Sequence, residues 1–475
     1  MSLAALADSV LFPGFAGTEA PSWVRRRVAA GLGGVVLFGR NCESPAQLAA
    51  LTGALRAERP DVLVATDEEG GDVTRLFAAT GSPVPGSYAL GVVDDVDLTR
   101  SLAAALATRL GSVGIGWALG PVADVNSAPD NPVIGVRSFG ASPALVSRQL
   151  VAAVAGTQAA GVAACVKHFP GHGDTTVDSH VGVPTVGADL EGALVPFRAA
   201  VAAGVATVMT GHLLVPGFGP QPATLNPALI TGLLREDLGF DGVVVSDALE
   251  MGAIAGTVGL GEGAVLALLA GVDALCLGGD EAGEPIADAA RDALVGAVGA
   301  GRLPEDRLAE ASARISKLAA RFPAVPSGDS AELEELGVEA ARRAVRVVGA
   351  GRLPAGAPVV VQLDPEPTIA VGYTRWGLAG LLPGATELRV GPDDPLPSLP
   401  AGRPLVIVAR DAPRVGWVGR AVDGLLAAHP GAVVVEMGLP GRAPVPPAAG
   451  WIATGGASAA SARAAAELLL GSRDG

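Results

Sequence analysis

Aromatic residues make up only 4% of this 475-residue chain, and tyrosine occurs twice. Any core must therefore be aliphatic and finely packed. With 49% hydrophobic against 17% charged residues there is enough apolar material for a large one, which excludes a disordered chain. Cysteine is scarce too. Cys42, Cys165 and Cys276 are widely spaced and odd in number, which argues against a disulfide framework. No run of Lys or Arg exceeds Arg25–Arg27 and the formal net charge is −15, so nucleic-acid phosphates would be repelled. No stretch approaches the roughly 20 apolar residues of a membrane span. The opening MSLAALADSVLFPGF lacks the positive region of a secretory leader. The expectation is a cytoplasmic, reducing setting with neither nucleic acid nor membrane as partner.

What the chain does contain is a series of short apolar runs rich in β-branched residues. They are Val10–Phe15, Gly34–Phe38, Val62–Thr66, Ile115–Val122, Ala164–His168, Ala206–Thr210, Gly242–Ser246 and Ala274–Leu277. Continuous rather than alternating apolarity suits parallel strands buried on both faces. Segments such as Ser142–Gly156, Leu190–Ala203 and Glu262–Ala270 read as the intervening helices. Eight such units predict an α/β fold, a (β/α)8 TIM-type barrel over residues 1–322. An open doubly wound sheet is the rival. Polar residues end several runs: Asp67, Lys167 with His168, His212 and Asp247. A barrel gathers all such ends on one face, whereas an open sheet would string them along a line. A linker is expected at 323–330 (PAVPSGDS). Beyond it, 331–475 is expected to form a smaller α/β sandwich-like domain, helical over Glu332–Val348. Its strands are expected at Pro358–Leu363, Pro404–Ala409, Ala432–Glu436 and Trp451–Ala453, before a last helix at Ser461–Leu470. It holds His429 but no dense polar cluster, so no chemistry is assigned to it.

Proton-transfer groups concentrate in KHFPGHGDTTVDSH, residues 167–180, which holds three of the five histidines and one of two lysines. A lone histidine usually satisfies its neighbours; a cluster interleaved with Lys167, Asp174 and Asp178 points to acid–base or metal chemistry. Pro170 and Gly171 forbid a helix between His168 and His172, so this is a loop leaving a strand. In Asp178-Ser179-His180 the spacing lets the carboxylate orient the imidazole and stabilise its charged form. Asp247, in VVVSDALEM, could be a metal ligand, a base, a nucleophile or a helix cap. In ATDEEGGDVTR, Asp67 and Arg75 suit vicinal hydroxyls, one accepting and the other donating in fixed geometry. Arg137 lies in the loop segment NPVIGVRSFG.

These four segments, with GGVVLFGRN near the start, resemble the bacterial β-N-acetylhexosaminidases of glycoside hydrolase family 3, over about residues 1–320. The second domain resembles that of the longer members only loosely. The resemblance implies release of terminal β-linked N-acetylglucosamine, notably from cell-wall fragments in peptidoglycan recycling. It implies Asp247 as nucleophile forming a covalent glycosyl-enzyme, His180 as general acid/base and Asp178 as its dyad partner. Asp67, Arg75, Arg137, Lys167 and His168 are implied to hold the sugar. Glucosidases of the family lack the Asp-Ser-His dyad and take a glutamate from elsewhere, so its presence favours the amino-sugar branch. The scheme needs no metal or cofactor. A retaining glycosidase requires one group below the ring and a proton donor beside the leaving oxygen, and histidine is partly protonated near neutrality without burial. Alternatives are a phosphorylase using the same intermediate, a metal-dependent hydrolase ligated by His168, His172, His180 and Asp247, and a non-catalytic sugar-binding relative.

Overall fold

The computed structural model describes residues 1–177, 182–187, 189–279, 282–323, 332–400, 402–441 and 448–471. The expected linker therefore lies almost wholly outside the described residues, as do Asp178 and His180.

Among the described residues, eight short parallel strands form the first half: β1 Leu11–Pro13, β2 Gly34–Leu37, β3 Leu63–Thr66, β4 Trp117–Ala118, β5 Ala163–Phe169, β6 Thr207–Thr210, β7 Val243–Ser246 and β8 Leu275–Leu277. Strands β2 to β7 pair in sequence order, and β8 pairs with β1. A bridge between Val245 and Ala274 joins β7 to β8. Between β1 and β2 the Gly33 N–H donates to the Asp8 carbonyl at 3.0 Å, closing the circle. Gly34 is required there, because a Cβ would sit 2.5 Å from the Phe12 ring. Every strand residue is buried, which is why the runs read as continuously apolar. The Phe12 and Trp117 rings meet edge to face at 5.3 Å, and Trp117 Nε1 donates to Thr207 Oγ1 at 2.9 Å. The strand expected over Ile115–Val122 is reduced to two residues. Pro121 has no N–H to give a ladder, and pairing resumes only at Val122 with Lys167.

The second sheet has the order β11-β10-β12-β13-β14-β9, with only β9 antiparallel. Its strands are β9 Arg346–Gly349, β10 Val359–Leu363, β11 Thr386–Val390, β12 Leu405–Ala409, β13 Val433–Glu436 and β14 Gly450–Ala453. The helix Gly416–Ala428 packs with the apolar cluster on one face and the helix Ala459–Leu470 with that on the other. Two expectations need correction. The helix expected over Glu332–Val348 runs only Leu333–Ala344, and the β-branched stretch after it forms β9. Strand β11 was not expected, because this edge strand buries Val390 alone and carries no apolar run. Among the described residues no helix is long and apolar enough to cross a membrane.

Candidate active site

The barrel strands end around one cavity. Asp67, Glu69, Arg75, Arg137, Lys167, His168, His172, Asp247 and Glu250 all line it. Successive residues of a regular strand face opposite ways, yet Lys167 and His168 both reach this cavity. The β5–β6 register shifts between Val166 and Phe169, and the irregularity re-aims one of the pair.

A chain of charges crosses the cavity floor. Lys167 Nζ lies 2.6 Å from Asp67 Oδ1 and 2.8 Å from Glu69 Oε1. Arg137 grips Glu69 with two parallel bonds, Nε to Oε2 at 2.9 Å and Nη2 to Oε1 at 2.8 Å. Burial alone would raise the Glu69 pKa, but Arg137 and Lys167 overcome it and hold the carboxyl well below the usual range. Burial likewise opposes the charge on Lys167, and Asp67 and Glu69 restore it, so its pKa is raised. The site thus contains charged donors and acceptors that fix one another in place.

His168 is oriented from behind. Its Nδ1 lies 2.8 Å from Asp124 Oδ2 and its Nε2 lies 3.5 Å from Arg137 Nη2. Asp124 is fully buried. Burial, the largest influence, raises its pKa, but the interactions with His168 and His172 together overcome it and lower it overall. Its Oδ1 also accepts the backbone N–H groups of His168 at 3.1 Å and His172 at 2.7 Å. His172 Nδ1 is 2.6 Å from Thr175 Oγ1. Burial, followed by the charge of His168, pushes the His172 pKa down to about 4, so it is neutral near pH 7. Asn131, in the loop leading to Arg137, donates to the His172 and Thr175 carbonyls at 2.8 and 3.0 Å and fixes this turn.

Arg75 approaches from the rim. Its Nη2 is 4.0 Å from Asp67 Oδ2. Glu68 anchors the turn bearing it, accepting from Thr74 Oγ1, Arg75 N and Leu76 N at 2.9, 2.9 and 3.1 Å. Burial pushes the Glu68 carboxyl up to about 7. Asp247 follows β7, where its N–H donates to the Thr210 carbonyl at 3.1 Å and its Oδ1 accepts the Ala248 N–H at 2.9 Å. Beside it Glu250 accepts the Gly279 N–H, and burial raises its pKa.

Of the residues singled out in the sequence, Asp67, Arg75, Arg137, Lys167, His168 and Asp247 converge on this cavity. Asp178 and His180 fall outside the described residues. His212 is buried behind the cavity, its Nε2 3.0 Å from the Ala248 carbonyl and its Nδ1 2.8 Å from Thr224 Oγ1. The sequence pattern does not single out Asp124 or Glu250, nor Glu69 beside Asp67. The second sheet's region also contributes to the cavity wall. Ile369 and Ala370 line the cavity, and Arg75 donates to the Ala370 and Val371 carbonyls, both at 2.8 Å.

The N-terminal domain model of glycosyl hydrolase family 3 matches residues 18–318. The chain belongs to glycosyl hydrolase family 3. Within this family the chain is similar to a β-hexosaminidase of Thiobacillus denitrificans, 40% identical over 270 residues, covering 54% of this chain and 75% of that one. It is 33% identical over 329 residues to β-hexosaminidase A of Pseudoalteromonas piscicida, covering 62% of this chain but only 54% of that longer relative. A solved family 3 β-N-acetylglucosaminidase from a Paenibacillus species superposes with a TM-score of 0.88 at 34% identity, covering 99% and 97% of the two chains. Both the family 3 barrel and the second sheet are therefore shared with that enzyme.

Proposed function

We propose that this family 3 chain is a retaining exo-β-N-acetylglucosaminidase that removes terminal β-linked N-acetylglucosamine, with cell-wall fragments as substrates. The observation that supports this most is the single cavity that Asp247 shares with the Lys167–Asp67–Glu69–Arg137–His168 network. The kinship with β-hexosaminidases and a β-N-acetylglucosaminidase supports the glycone.

In this reading Asp67 accepts from sugar hydroxyls while Lys167, Arg75 and Arg137 donate, and His168 is oriented by Asp124 to complete the set. The glycone is thus held with its anomeric carbon over Asp247. The Asp247 carboxylate attacks that carbon as the bond to the leaving oxygen breaks, giving a covalent glycosyl-enzyme. His180, supported by Asp178, gives its proton to the departing oxygen. It then takes a proton from the water that attacks the same carbon and releases Asp247, so configuration is retained.

A panel of chromogenic β-glycosides (N-acetylglucosaminide, glucoside, xyloside) tests the reading. The first should be strongly preferred, and its configuration retained in the first-formed product. Preference for the glucoside, or an inverted product, would refute it. Addition of phosphate should leave free sugar as the product; accumulation of sugar 1-phosphate would make the chain a phosphorylase instead.

A further inference from the structure

The loop 410–414 after β12 touches the barrel at two places, and both belong to turns that carry a sugar-binding arginine. Arg410 Nη2 lies 2.6 Å from Asp72 Oδ2, with the two side chains 12% and 2% exposed. The other Asp72 oxygen accepts the Ala457 N–H at 2.7 Å. Asp72 sits in the Gly70–Val73 turn, just ahead of Arg75. Arg414 Nη1 donates to the Asn131 carbonyl at 2.5 Å, and its guanidinium packs so close to Gly135 that a Cβ there would meet it at 3.0 Å. The Asn131–Gly135 segment leads directly into Arg137.

The loop itself is rigidly held. Glu436, buried at the end of β13, accepts N–H groups from Asp411 at 2.7 Å, Ala412 at 3.1 Å and Gly438 at 2.7 Å. Asp411 adopts a left-handed φ of 56°, accepts the Leu439 N–H at 2.9 Å and pairs with Arg414 at 2.7 Å. A buried ion pair is poor glue, because desolvation offsets most of its attraction and apolar residues of the same size often hold better. Its merit is geometric, since it fixes where each partner sits.

We propose that loop 410–414 is a clamp that positions the substrate-binding arginines: Arg410, through Asp72, sets the turn of Arg75, and Arg414, through the Asn131 carbonyl, sets the turn of Arg137. Arg410, Arg414 and Asp72 are positioning residues, and the second sheet's region tunes glycone affinity through them. The inference rests on Arg75 and Arg137 holding the sugar.

The test uses the full chain with chromogenic N-acetylglucosaminide as substrate, competent enzyme being counted by the burst of a slow covalent substrate. Misplacing a binding group by about an ångström can cost up to about 10²-fold, so Arg410→Met should raise KM about fivefold or more with a smaller change in kcat. Arg410→Lys should recover part of the loss, and Arg414→Gln should behave like Arg410→Met. The double variant Asp72→Asn/Arg410→Met strands no buried charge, so it decides the matter if the single variant does not fold. A double variant that folds and keeps KM within about twofold of wild type would show that the pair only holds the two regions together, and would overturn the clamp. Arg75→Ala on the same substrate separates the two levels. A raised KM there with unchanged KM in the clamp variants sinks the clamp alone; an unchanged KM there removes the site reading and the clamp with it.

Discussion

The Glu69 side chain, buried just past β3 at the barrel's upper face, and Glu436, buried as the last residue of β13 in the second sheet, end in opposite states. Burial pushes both carboxyls up. At Glu69 two cations, Arg137 and Lys167, reverse the effect and hold it ionised. At Glu436 burial, reinforced by the neighbouring Asp411 charge, wins over three backbone N–H donors, and the carboxyl is pushed up to about 7. The fold buries a carboxylate near the C-terminal end of a parallel strand in both places. The cations decide which becomes a charged site and which becomes a loop anchor.

The contrast can be broken most severely at Asp247. Asp247→Ala should lower kcat by about 10⁴-fold or more, on the scale of other nucleophile deletions, while Glu436→Gln should stay within about tenfold of wild type, as an anchor outside the cavity. Comparable losses from the two variants, measured on the same chromogenic substrate, would erase the distinction between the regions. Next in size is Glu69→Gln, which strands the buried Arg137 guanidinium while Lys167 keeps Asp67. Removing one partner of a buried pair costs about 3–5 kcal/mol, and denaturant unfolding should register a loss of that order. Glu436→Gln strands no cation, so a larger loss there would invert the comparison.

A third effect concerns proton delivery. Replacing His180 with Ala should cost about 10²-fold on substrates with poor leaving groups and much less on activated aryl glycosides. Equal losses across leaving groups of differing pKa would remove His180 from the acid role. The smallest effect is in the pH dependence of stability. The Glu436 carboxyl titrates near 7 in the fold, above its ordinary value of 4.5. The folded state therefore holds the proton more tightly. The stability gained from this is complete below about 4.5 and lost as pH rises through about 7. Glu436→Gln lacks this titration, so the wild-type Tm should fall relative to the variant across that window, by about 2 °C or more. A constant difference in Tm from pH 4.5 to 7.5 would refute the assignment.

Much of the barrel was legible because parallel strands buried on both faces leave uninterrupted apolar runs, and polar residues that close those runs mark the upper face. Asp67, Lys167, His168 and Asp247 were found that way. Asp124 was not, because Pro121 interrupts the run before it and its function, orienting His168, depends on a fold contact far along the chain. Glu250 lies past the strand end among loop residues, and Glu69 gains its meaning only from Arg137 and Lys167. In the second region β11 was invisible because an exposed edge needs little apolar sequence. The contribution of Ile369, Ala370 and Val371 left no chemical signature at all, since small and aliphatic residues in a coil read as packing.

That last contact has a consequence for how the chain tolerates change. Arg75 is tethered to main-chain oxygens of residues 370 and 371, so the tether is blind to which side chains those positions carry. A point substitution at either position leaves the tether itself intact, whereas inserting or deleting one residue beside them would shift the carbonyls out of step with the guanidinium. For this tether, spacing rather than identity is what selection would have to preserve.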